Sequence, residues 1–161
     1  KIIAYDIEEN EELVAEGVKF FPLEKVFGQA DIISLHCPLN KHTKHIVNED
    51  SIAKMKDGVM IVNTSRGAFI KTEDAIEGLK NRKIGYLGID VYEQEENLFF
   101  EDLSEHIIQD DMILRLLSFP NVLITSHQAY FTKEAMDQIT TITLENIKSF
   151  ETDSELENEV K

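Results

Sequence analysis

The stretch "GVMIVNTSRGAFI" occupies residues 58–70. It begins with glycine and four apolar residues, turns small and polar at 63–65, and sets Arg66 and Gly67 ahead of a second apolar run. A short apolar run with no polar alternation is what a strand shows when both faces are covered in a parallel sheet. A guanidinium at the tip of such a strand has two readings. Either the strand simply reaches solvent there, or it aims a fixed cation into a cleft.

The same pattern recurs on both sides of it. "IIAYD" (2–6), "DIISLHC" (31–37), "GYLGIDV" (85–91) and "NVLITS" (121–126) read as strands, and "VKFF" (18–21) as a shorter, weaker one. Helix-compatible segments separate them: 23–30, 48–55, 71–83 and 109–118. Thr72, ahead of Glu73 and Asp74, is placed to cap the third of these. The longest helical pattern covers 132–150, with Met136, Ile139, Ile142 and Ile147 near one face. No Pro/Gly linker, internal repeat or low-complexity tract interrupts the chain. Alternating strands and helices predict an α/β fold, a doubly wound parallel sheet with helices on both faces.

The 161 residues suit one domain, and an apolar share of 42% suffices for one core. With 16 basic against 31 acidic residues the net charge is -15, which argues against nucleic acid or an anionic membrane surface as partner. The acidic runs at Glu8, Glu9, Glu11 and Glu12 and at residues 151–159 read as solvated surface and a frayed end. The single cysteine, Cys37, allows no internal disulfide and suits a reducing compartment. No apolar run approaches the length of a membrane span, and no signal-like segment opens the chain.

In a doubly wound sheet, ligands bind outside the carboxyl ends of the strands. Those ends carry Asp6; then His36, Cys37 and Pro38; then Arg66; then Asp90, followed by Glu93 and Glu95; and finally His127. Asp6 can accept hydrogen bonds from an adenosine ribose and repel a 2′-phosphate, or it can merely cap the next turn. An arginine fork binds a carboxylate bidentately. A histidine titrating near neutral pH exchanges a proton with a hydroxyl or carbonyl oxygen. A neighbouring carboxylate favours the imidazolium and fixes its tautomer. Singly, Arg66, Glu95 and His127 are most simply a surface ion pair, part of an acidic loop and a satisfied histidine. Jointly they suit hydride transfer to or from a 2-oxo or 2-hydroxy acid on a nicotinamide cofactor.

Other signals have plainer readings. The histidines of "HTKH" (42–45) lack the partners of a zinc site and read as surface, so no metal is expected. Cys37 reads as a small apolar wall rather than a reactive thiol. The aromatic pairs in "FF" (20–21) and "LFF" (98–100) read as core or inter-domain packing.

"VNTSRG" (62–67), "GIDVYEQE" (88–95) and "SHQAYFTKEA" (126–135) resemble, in order and spacing, the three signature regions of the D-isomer-specific 2-hydroxyacid dehydrogenases. Residues 98–125 are most similar to the family's D-lactate-type members. The resemblance implies a Rossmann-like NAD-binding domain and NAD as cofactor. It implies that Arg66 binds the substrate carboxylate, that His127 is the acid/base, and that Glu95 keeps His127 protonated for pyruvate reduction. Asp90 would lie by the nicotinamide amide and Asp6 on the adenine ribose. Cys37, Pro38 and Thr43 would line the adenosine side, Thr64 and Ser65 would sit near the nicotinamide, and Tyr130 would border the substrate pocket. A cytoplasmic homodimer is implied for the full-length protein. Two alternatives stay open: a D-2-hydroxyisocaproate-type enzyme, and a non-catalytic NAD-sensing module like the corepressors that resemble this family.

Against the family pattern, the chain lacks the first strand and the Gly-rich turn. The expectation is therefore a partial nucleotide-binding domain over 1–131 and a helix and tail over 132–161 returning toward a substrate domain not in this chain. Alone, such a piece is expected neither to bind NAD tightly nor to turn over. A glycine-rich turn after an apolar strand is expected ahead of Lys1, and the second and fourth strands of the full fold are expected to lack the neighbour they share.

Overall fold

Four apolar runs become the strands β3 (Ile32–Leu35), β4 (Val59–Asn63), β5 (Ile84–Ile89) and β6 (Val122–Ile124), all parallel and in that spatial order. This is a computed structural model, and it describes residues 1–95 and 110–159. The strands expected at 2–6 and 18–21 are much shorter: β1 (Ile3–Ala4) and β2 (Lys19–Phe20) form a separate parallel pair. Among the described residues, β3 has β4 as its one sheet partner and β1 has β2, as expected of strands that lack a shared neighbour.

One row of paired residues crosses the larger sheet at its carboxyl edge: Leu35, Asn63, Ile89 and Ile124. Because every strand runs the same way, whatever follows that row leaves by the same edge. This alignment gathers the candidate residues.

The sheet's core lies on one face. Ile33, Leu35, Val59, Ile61, Leu87 and Ile89 point into it. Phe27 of α2 (Leu23–Gln29), Ile52 of α3 (Glu49–Lys54), Ile76 and Leu79 of α4 (Thr72–Lys80) and Ile113 and Leu116 of α5 (Asp111–Leu117) pack against them. The opposite face is also apolar but open: Ile32 is 62% exposed, Tyr86 58% and Leu123 66%. The unbroken apolar runs thus describe two faces, of which α2, α3, α4 and α5 cover one.

Local capping explains most helix starts. The side chain of Asn48 accepts from the Ser51 N–H while Ser51 reciprocates, a capping box ahead of α3. Asp110 accepts from the Met112 and Ile113 N–H groups at α5. Thr72 does not cap α4: it is that helix's first residue, and its N–H and hydroxyl both donate to Glu93. A short helix, α1 (Glu11–Ala15) capped by Asn10, stands where only a solvated acidic run was expected; none of its residues is buried. Phe20 and Phe21 are half-buried and lie outside the main core, and Lys25 Nζ sits 3.8 Å over the Phe21 ring. The expected "LFF" packing at 98–100, and the first residue of the helix expected at 109–118, lie outside the described residues.

The chain divides into two compact units, Lys1–His127 and Gln128–Lys161. The second consists mainly of α6 (Lys133–Glu151), whose N-cap Thr132 accepts from the Ala135 N–H. Ile142, Ile147 and Phe150 are exposed on it. Among the described residues no helix is long and apolar enough to cross a membrane.

Candidate active site

Asn63 ends β4 wholly buried, and its side chain builds the turn beyond. Its Oδ1 accepts from the Ser65 N–H at 3.1 Å and its Nδ2 donates to the Arg66 carbonyl at 2.9 Å. The turn carries Thr64 and Arg66 exposed, with Arg66 Nη1 donating to the Ser65 carbonyl at 2.7 Å. Ser65 Oγ donates to the Cys37 carbonyl at 3.4 Å, tying the tips of β3 and β4 together.

The chain leaving β5 is held just as closely. The Asp90 N–H donates to the Asn63 carbonyl, and its carboxylate, 4% exposed, accepts from Thr125 Oγ1 at 2.5 Å. Beyond it, the Tyr92 N–H donates to Glu95 Oε2 at 2.8 Å and the Glu95 N–H returns to the Tyr92 carbonyl at 3.2 Å. These bonds fold 92–95 into a turn. That turn presses on Gly67, where an added Cβ would lie 2.0 Å from the Tyr92 oxygen. Only glycine lets the turns bearing Arg66 and Glu95 touch.

His127 follows β6 in a left-handed conformation, φ 56°, a region histidine enters more readily than bulky or branched residues. Its N–H donates to the Asp90 carbonyl at 2.6 Å. Its Nε2 lies 4.0 Å from Glu95 Oε1, with the Glu95 side chain largely buried and that of His127 about one-third exposed. This is ion-pair range, longer than a hydrogen bond.

Toward β1, Asp6 is exposed and its Oδ1 accepts from the Ile7 N–H at 2.6 Å. Burial pushes the half-buried Cys37 thiol above its ordinary pKa, and the charge of Asp6 pushes it further, so the two are electrostatic neighbours. Cys37 is thereby kept a neutral thiol. Thr43 Oγ1 donates to the Pro38 carbonyl at 2.8 Å and closes the loop between them. A carboxylate, a small apolar wall and exposed hydroxyl-bearing turns fit the nucleoside ends of a dinucleotide. No G-x-G-x-x-G phosphate loop occurs in the sequence. Tyr130 belongs to the second unit, 55% exposed and edge-on to Phe131.

Two groups escaped the sequence reading, and a third has partners that it did not foresee. Asn63 and Thr125 are struts; an amide closing an apolar strand was the available signal for the first. Glu93, grouped with the strand-end acids, instead bonds His45 Nε2 at 2.6 Å and Thr72 at 2.9 and 3.0 Å. His45 is therefore a half-buried ion-pair partner and not a surface residue, whereas His42 is exposed. Burial raises the Glu93 pKa, but the bonds from Thr72 and His45 outweigh it and hold the carboxyl below its ordinary range. Tyr92 OH donates to Asp110 at 2.8 Å, and burial with that bond raises its pKa strongly.

Residues 1–129 match the family described as D-isomer specific 2-hydroxyacid dehydrogenase, NAD binding domain. The D-lactate dehydrogenase of Escherichia coli (strain K12) is 48% identical over 160 residues, 99% of this chain and 49% of that protein. An aromatic 2-oxoacid reductase of Clostridium sporogenes is 46% identical over 151 residues, 94% of this chain and 45% of that protein. Among solved structures, D-lactate dehydrogenase with NAD+ from Lactobacillus jensenii superposes with TM-score 0.84 at 30% identity, over 100% of this chain and 48% of that one. The chain spans about half the length of the curated relatives it matches.

Proposed function

The chain belongs to the D-isomer-specific 2-hydroxyacid dehydrogenases as an NAD-binding domain, and from that premise we propose that the whole protein interconverts pyruvate and D-lactate. Arg66 grips the carboxylate of the 2-oxo acid with its planar fork, which also fixes the carbonyl's direction. His127 gives a proton to the carbonyl oxygen as the 2-oxo acid is reduced, and takes it back from the hydroxyl in reverse. Glu95 favours the imidazolium and fixes the ring's tautomer. Bound NAD supplies or accepts the hydride at its nicotinamide. Asp6 holds the adenine ribose; Cys37, Pro38 and Thr43 flank the adenosine; Thr64, Ser65 and Asp90 attend the nicotinamide end; Tyr130 borders the substrate.

The observation that supports this reading is the 4.0 Å approach of His127 to Glu95 at the edge from which Arg66 also leaves. The test is NADH oxidation by the whole protein with pyruvate, followed by absorbance and by the chirality of the product. Absence of turnover with intact NAD binding favours the NAD-sensing module instead.

A second reading is the same chemistry on a bulkier 2-oxo acid. The near-equal identities to a D-lactate dehydrogenase and an aromatic 2-oxoacid reductase favour keeping it. Specificity constants for pyruvate, 2-oxoisocaproate and phenylpyruvate discriminate the two. The division at 131/132, the return of α6 toward a substrate domain, the homodimer and the cytoplasmic setting belong to the same proposal. Sedimentation and fractionation of the whole protein test the last two.

A further inference from the structure

We propose that Glu93 is a positioning residue, one carboxylate that holds the Arg66 turn against the Glu95 turn. The inference rests on the reading of Arg66 as the group that binds the substrate carboxylate.

The carboxylate joins three segments. Glu93 Oε2 accepts from the Thr72 N–H at 3.0 Å and from Thr72 Oγ1 at 2.9 Å, at the end of the segment that begins with Arg66 and Gly67. Glu93 Oε1 meets His45 Nε2 at 2.6 Å. The backbone of that histidine grips the same segment from its other side: the His45 N–H donates to the Ala68 carbonyl at 2.8 Å, and the Val47 N–H to the Phe69 carbonyl at 3.0 Å. Val47 in turn accepts from the Lys71 N–H at 2.9 Å, and Asn48 Nδ2 donates to the His45 carbonyl at 2.9 Å. Residues 67–72 are thus pinned at both ends and from two directions. Glu93 itself sits inside the 92–95 turn that the Glu95 side chain closes.

A helix cap alone does not require this arrangement. Lys71, at the N-cap position of α4, makes no side-chain cap bond, and Thr72 turns its hydroxyl to Glu93, 21 residues away. The cap is imported from the turn that carries Glu95. A local Ser or Asp would have stabilised the helix equally, but it would not have tied the start of that helix to the turn that carries Glu95. Neither partner is fully exposed, with 30% of the His45 side chain and 22% of the Glu93 side chain accessible, so the pair is more rigid than a surface ion pair.

The test uses the whole protein with pyruvate and NADH. Glu93→Ala is expected to raise KM for pyruvate about tenfold or more, since about 1 Å of misplacement can cost two orders of magnitude. The Kd for NADH, read by fluorescence, stays unchanged. Glu93→Gln, whose amide oxygen still accepts from Thr72, recovers most of the loss. A folded Glu93→Ala protein with a lowered melting temperature but parental KM and kcat overturns the proposal, leaving Glu93 a cap only. If Glu93→Ala does not fold, Thr72→Val carries the test by removing one donor; a raised KM supports the proposal and a parental KM overturns it. Arg66→Lys is measured alongside. If it leaves KM for pyruvate unaltered, the reading of Arg66 fails and takes this inference with it. If it raises KM while Glu93→Ala does not, only the positioning role fails.

Discussion

Replacing Gly67 by alanine adds one methyl group where the turns bearing Arg66 and Glu95 meet. The new carbon would lie 2.0 Å from the Tyr92 carbonyl oxygen, 2.1 Å from its carbon and 2.5 Å from the Glu93 nitrogen. Ordinary carbon contacts fall at about 3.5 Å, so the turns must separate by about 1.5 Å. The obstructing atoms are backbone, and no rotamer change relieves them. Overpacking typically costs about 1–3 kcal/mol, and a rigid obstacle puts this site near the top, about 3 kcal/mol. At about 2–4 °C per kcal/mol for a domain of this size, the melting temperature falls by roughly 6–12 °C. Displacing Arg66 from Glu95 by about 1 Å lowers kcat/KM for pyruvate about a hundredfold. Gly28→Ala is the matched control: its Cβ meets only the Lys54 carbonyl at 3.6 Å, and in α2 it adds up to about 1 kcal/mol of helix preference. Thermal melts by circular dichroism and steady-state NADH oxidation by the whole protein measure both variants. A Gly67→Ala protein melting within about 2 °C of the parent and keeping its kcat/KM refutes the reasoning.

His127→Asn lowers kcat by about 10²–10⁴ and leaves NADH affinity intact; stopped-flow turnover with fluorescence titration checks both. With Asp6 in its proposed place on the adenine ribose, Asp6→Ala narrows the preference for NADH over NADPH, read as the ratio of the two specificity constants, because a charge that repels a 2′-phosphate is gone. Asn63→Ala leaves the Ser65 N–H and the Arg66 carbonyl without their buried partner and costs about 1–3 kcal/mol in denaturant unfolding. Glu93 and Asp74 both titrate below their ordinary values of 4.5 and 3.8. Burial opposes ionisation in each, and the bonds from Thr72 and His45, and from Lys71 and Glu49, prevail. The stability they add is complete above those values and is lost as pH falls through the lower folded ones. The denaturant midpoint therefore drops on acidification below pH 4.5, and less steeply in Glu93→Gln/Asp74→Asn; superimposable curves contradict the assignment.

The strands were legible because burial writes itself as unbroken apolar runs, and their common direction made the strand-end residues readable as one set. What stayed hidden was long-range. Glu93 meets Thr72 and His45 across 21 and 48 residues, which leaves no periodicity and no local motif. The same absence misassigned Thr72: its sequence context is that of a cap, and a distant acceptor took both of its donors. α1 was missed because it buries nothing, so no apolar stripe marks it. Helices were expected on both faces because the strands are apolar on both, a property of the residues that does not say which element covers each side.

The β1 and β2 pair has a consequence for cohesion. Asp6 leaves a two-residue strand bonded to one other two-residue strand, beside a helix with no buried side chain. Two-stranded ribbons are marginal in water, so in this 161-residue chain taken alone amides at 3–4 and 19–20 should exchange with deuterium far faster than those of β4, whose neighbours flank it on both sides. Under the role proposed for Asp6, the choice between the two nicotinamide dinucleotides would be made at this pair, and bound adenosine would slow its exchange.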